Sequence, residues 1–65
     1  MTQEQELSLK MLKSMREKIR KERDEANRLA VTDYQNHEMY FGWVDEFDNI
    51  LTQICRRIEM LQNLP

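Results

Sequence analysis

The stretch that most constrains this chain is Tyr40 to Leu61, YFGWVDEFDNILTQICRRIEML. Within it Tyr40, Val44, Phe47, Leu51, Ile54, Ile58 and Leu61 recur at alternating spacings of four and three. That is an unbroken heptad seam, and a helix gathers every one of these residues on one side. Trp43 and Ile50 fall beside the seam, widening the apolar face to roughly 120°. A face that wide on so small a chain has to be covered by something.

The chain has 65 residues, enough for one domain whose core is thin if it stands alone. Ordering the backbone costs roughly 1–2 kcal/mol per residue, which leaves a lone pair of helices little margin. Self-association or a protein partner is therefore expected. Charged residues make up 34% of the chain, with one Gly and one Pro, a composition that suits long helices and disfavours strands and tight turns. The single Cys excludes an internal disulfide and fits a reducing, cytoplasmic setting. No apolar run approaches the ~18–20 residues that span a bilayer, and the polar start MTQEQELS does not read as a signal peptide.

Before that seam, Thr2 is a candidate helix cap, and Glu4 and Glu6 lie near the positive end of the helix dipole. Leu12, Met15, Ile19, Ala26 and Leu29 give a thinner stripe, flanked by Leu7, Met11 and Ala30 and interrupted by Ser8 and Glu22. Glu17 and Lys21 form a well-oriented i,i+4 pair. Continuing this phase puts Asp33 and Asn36 at core positions, so the helix breaks there. Thr32 with Gln35 has capping-box form, and Asp33 is also a good cap. The rival break is Gly42, as the glycine that ends a longer first helix.

The expected fold is all-α, an antiparallel two-helix hairpin spanning residues 1–65. Its helices cover about 3–31 and about 36–62, joined by a turn near 31–36. The core is completed either by homodimerisation into a four-helix bundle or by a larger helical partner.

Charge is divided between the halves. Lys10 to Arg28 holds eight Lys/Arg against four acids, whereas Thr32 to Ile54 holds five acids and no Lys or Arg. Such halves either pair antiparallel or form two solvated faces.

Little supports catalysis. His37 is the one histidine and sits in the polar turn, and Cys55 lies at the edge of the apolar face. No second His or Cys spaces either for a metal or a dyad. Asp45, Glu46 and Asp48 spread around the helix rather than converging. Phosphate-binding glycine loops are absent, and no catalytic residue, cofactor or metal is expected.

Two other classes stay open. Lys10, Lys13, Arg20 and Arg23 would let a basic first helix lie along the phosphates of RNA or DNA. In its opening Met-Thr and in Leu9, Met11 and Arg16 this helix is similar to plasmid copy-number regulators of the repressor-of-primer kind, homodimeric hairpins that bind RNA. Ser14 stands where that family presents an aromatic, and interleaved acids and a pI near 5.3 weigh against nucleic acid. Val44-Asp45-Glu46-Phe47-Asp48 faintly resembles the Ser-Gln-Glu-Leu-Asp motif of hairpin phosphatases acting on response-regulator aspartyl phosphates.

A broader resemblance runs through the second half. Asp33-Tyr34-Gln35, followed by an apolar helix with Glu46-Phe47-Asp48-Asn49-Ile50-Leu51, resembles the small needle-subunit co-chaperones of type III secretion systems. That resemblance implies a cytoplasmic, non-enzymatic hairpin. Such a hairpin stabilises a larger tetratricopeptide-like chaperone, which in turn holds the needle subunit and prevents its premature polymerisation. Helix-in-groove recognition would use the second helix. The expected partner-binding residues are Phe41, Trp43, Val44, Phe47, Ile50, Leu51, Ile54 and Ile58, with Trp43, Phe47, Leu51 and Ile54 as anchors. How these divide between hairpin core and partner interface is open.

Overall fold

A computed structural model describes residues 2–64; Met1 and Pro65, the ends of the expected domain, lie outside them. Helix α1 runs Gln3–Thr32, a single 3-10 turn covers Tyr34–Asn36, and helix α2 runs His37–Gln62. The two helices lie side by side as an antiparallel hairpin with Cα extents of 50 × 14 × 10 Å. This is the all-α hairpin the spacing predicts, with the turn where the apolar phase is lost.

The N-terminus of α1 is closed by a reciprocal cap. Gln5 N–H donates to Thr2 Oγ1 at 3.2 Å, and Thr2 N–H donates to Gln5 Oε1 at 2.8 Å. Two of the amide donors that a helix start leaves unpaired are thereby satisfied. Glu4 and Glu6 occupy the first turn, as the dipole favours.

The other end departs from expectation. Thr32 belongs to the last turn of α1, and its hydroxyl donates back to Arg28 O at 2.9 Å rather than capping α2. Asp33 is the C-cap of α1, donating its backbone N–H to Leu29 O at 2.8 Å. Its side chain accepts from Asn36 Nδ2 at 3.0 Å. The residue preceding α2, Asn36, makes no side-chain cap. The chain turns through a 3-10 segment that runs directly into α2, so no freshly capped start is needed. His37 opens α2, half-buried, with its ring Nδ1 donating to Tyr34 O at 2.7 Å; it is not the free turn residue expected.

In α2 the seam stands as the spacing requires. Tyr40, Val44, Phe47, Leu51 and Leu61 are half-buried, and Ile54 and Ile58 are 4% exposed. In α1 Leu12, Ile19, Ala26 and Leu29 of the expected stripe are inward, but at two turns the phase is shifted by one residue, to Arg16 in place of Met15 and to Arg23 in place of Glu22. The inward positions are Leu9, Leu12, Arg16, Ile19, Arg23, Ala26, Leu29 and Ala30. Met15, Met11 and Leu7 are exposed instead, Met15 by 47%. Leu12, Ile19 and Ala26 are common to both phases; the alternatives differ in burying either Met15 and Glu22 or Arg16 and Arg23. Arginine has a long apolar stem that packs while its head reaches out, whereas glutamate's short stem would bury the carboxylate. Two arginines therefore sit in the seam. The ion pair of Glu17 also differs, forming with Arg20 at 3.3 Å and not with Lys21.

Gly42 lies inside α2, which rules out a chain break there. A Cβ built on it meets nothing within 4 Å. A helical glycine costs about 0.8–1.0 kcal/mol relative to alanine. Gly42→Ala is expected to raise unfolding stability by most of that amount, read from urea denaturation at fixed protein concentration.

Candidate functional site: an uncovered apolar face

Among the described residues only Ala26, Ala30, Ile54 and Ile58 are buried, each 3–4% exposed. The large apolar side chains left outside it are not scattered. On α2, Met39, Trp43 and Ile50 follow one another by four and seven residues, which aligns them on one flank of the seam. They are 45%, 47% and 39% exposed. On α1, Met11 and Met15 align in the same way, four residues apart.

An open groove at the free end of the hairpin shows that the two flanks belong to one face. Met11, Leu12 and Met15 from α1 line it together with Arg56, Arg57, Glu59, Met60 and Leu61 from α2 and Leu64 just beyond it, around a volume of about 970 Å³. Arg57 follows Ile50 by seven residues, so the groove continues the Met39–Trp43–Ile50 flank. The hairpin thus presents one broad face rich in methionine, with Trp43 on its turn half. Methionine is flexible and polarisable, and its concentration on a surface suits adaptable contact with another protein. Large exposed apolar patches are, in general, candidates for interaction sites.

The structure divides the eight residues expected from sequence. Val44, Phe47, Leu51, Ile54 and Ile58 lie in the seam between α1 and α2, where they hold the hairpin together. Trp43 and Ile50 are on the open apolar face, with the Trp43 ring edge-on to Tyr40 at a centroid distance of 5.2 Å. Phe41 is 45% exposed but two residues from Trp43, which on a helix places it on nearly the opposite side. There it meets His37 edge-on at 6.2 Å, and His37 stacks on Tyr34 at 5.0 Å. Phe41 and Trp43 are therefore not parts of one surface. Met11, Met15, Met39, Met60 and Leu64 were missed, although the four-residue step from Met39 to Trp43 is visible in the sequence.

The reverse face is polar. Arg23 donates to Asp48 Oδ1 at 3.2 Å across the helices and to Asp24 Oδ1 at 3.1 Å. The Asp48 hydrogen bond, followed by that of Asp24, holds the Arg23 guanidinium above its ordinary range. Arg28 chelates Glu25 within α1, and that hydrogen-bonded pair pulls the Glu25 carboxyl below its usual value. Of the four residues expected to form a basic phosphate-binding face, Arg20 and Arg23 are thus engaged by carboxylates. Cys55 is exposed on this side rather than packed at the edge of the core. Among the described residues no three His, Cys, Asp or Glu side chains gather to hold a metal ion, and no helix is long and apolar enough to cross a membrane.

Comparison with protein-family models, with curated proteins and with solved structures finds no match for this chain.

Proposed function

We propose that the protein is a non-catalytic binding module whose apolar face docks on a helical partner. One observation carries the reading: a hairpin with four buried core residues leaves Trp43, Ile50 and a row of methionines exposed along one side. Burial of apolar surface is worth about 25 cal/mol per Å², so covering this face stabilises the molecule. Trp43 and Ile50 serve as anchors, and Phe47 and Leu51 support them from the seam.

In its specific form the proposal is a cytoplasmic type III secretion co-chaperone, steadying a tetratricopeptide-like chaperone that holds the needle subunit. The Asp33-Tyr34-Gln35 turn leading into Glu46-Phe47-Asp48-Asn49-Ile50-Leu51 supports that form, as does the hairpin's shape. Co-expression with a helical-repeat chaperone encoded beside it should give a soluble complex of fixed stoichiometry. Failure with such neighbours would remove the co-chaperone form and leave the binding module, whose test is the Trp43 and Ile50 variant discussed below.

A further inference from the structure

The reverse face holds a second feature, built around arginine rather than methionine. Arg16, Arg20 and Arg23 from α1 and Arg56 from α2 line one open cleft of about 610 Å³, whose apolar wall includes Leu51 and Ile58. Two of these charges are already answered, Arg23 by Asp48 and Asp24 and Arg20 by Glu17. Among the described residues Arg16 and Arg56 form no ion pair. The lining carries four guanidinium groups against the carboxylates of Asp48 and Glu59, with Glu17 and Asp24, outside the lining, offsetting Arg20 and Arg23.

Arg16 is the telling member. It occupies an inward heptad position of α1, and its Nε is buried without a hydrogen-bond acceptor. A buried donor left unpaired is costly, more so when it is charged, so an acceptor brought to Arg16 is strongly favoured. A guanidinium presents Nε–H and Nη–H as a planar fork that matches the two oxygens of a carboxylate or phosphate. The apolar wall lowers the local dielectric and strengthens such a bond.

We infer that this cleft is an oxyanion site, in which Arg16, with Arg56 from the facing helix, takes a carboxylate or phosphate group. The group comes either from a small free anion or from an acidic side chain presented by another protein. Arg16 faces away from the proposed docking surface, whereas Arg56 and Glu59 line both the cleft and the end of the apolar groove, so the two sites adjoin there.

The test is a titration of the full-length ¹⁵N-labelled chain, reading the arginine Nε–Hε resonances and backbone amides. Sodium phosphate is one arm and a short glutamate-containing peptide is the other, each against sodium chloride at matched ionic strength. The Arg16 Nε–Hε resonance is expected to move saturably in at least one arm. Saturation by phosphate alone assigns a free anion, and saturation by the peptide alone assigns an acidic side chain. Arg16→Gln is expected to weaken the apparent affinity about tenfold or more, with circular dichroism reporting whether the hairpin persists. Should that variant unfold, the more peripheral Arg56→Gln supplies the same comparison. An Arg16 resonance that follows only ionic strength in both arms, or folded variants that bind as the wild type does, would overturn the inference.

Discussion

Replacing Ile54 with asparagine is expected to abolish the hairpin. Ile54 is 4% exposed and is one of four buried core residues. The substitution removes roughly 1.5–3 kcal/mol of side-chain burial. It also sets an amide among apolar neighbours, at a further cost of about 1–3 kcal/mol when unpaired. An asparagine is preferable to an aspartate here, because a carboxylate would be drawn to the arginines of α1. The sum is comparable to the whole stability of a small domain, so ellipticity at 222 nm should collapse at micromolar concentration. Gln53→Asn, at the exposed neighbouring position, makes the same chemical end group and should stay within about 0.5 kcal/mol of wild type. Retained helicity in Ile54→Asn would mean that the seam between the helices is placed in the wrong register.

The second large effect separates binding from folding. Trp43 and Ile50 are 47% and 39% exposed, outside the seam. Aspartate at both positions removes no contact of the seam, since neither side chain is closed in by α1, so the variant's helicity at any concentration should match that of the diluted, dissociated wild type. In an assembled state the same carboxylates would be buried at the centre of an apolar interface, where loss of an aromatic anchor alone costs about 2 kcal/mol or more. The double variant should lose association by at least about thirtyfold in affinity, measured by sedimentation or by co-purification with the partner. Phe47→Asp and Leu51→Asp would also abolish binding, but through the seam and hence through folding. Association of Trp43→Asp/Ile50→Asp at wild-type affinity would show that another surface does the docking.

Much of this fold is legible in the sequence because large apolar residues at three and four spacing leave a helix one way to turn. The α2 seam is such a case, and the loss of phase at Asp33 and Asn36 marks the turn. The α1 stripe was harder to read, since Arg16 and Arg23 count as polar by composition although their stems lie in the seam. A phase through Met15 and Glu22 therefore looked better than it packs. The caps at the turn were not legible either, because Thr32 and Asp33 satisfy groups behind them and α2 starts from a 3-10 turn without a side-chain cap. Of the open apolar face, Trp43 and Ile50 can be read from α2 alone. Met11, Met15 and Leu64 join them only once the hairpin's handedness decides which flank of α1 lies beside which flank of α2. The same geometry takes Phe41 out of that surface, which spacing along one helix had left undecided.

The central claim is that this hairpin's own core is insufficient and that a second chain completes it over the Trp43 face. Dilution of the purified protein from about 100 μM to about 0.1 μM, followed by ellipticity at 222 nm and by the emission of its one tryptophan, tests it most directly, because association-linked stability depends on concentration. Helicity should fall on dilution while the Trp43 emission moves to longer wavelength over the same range. A monomer that keeps full helicity, cooperative unfolding and an unchanged emission maximum across that range would contradict the account.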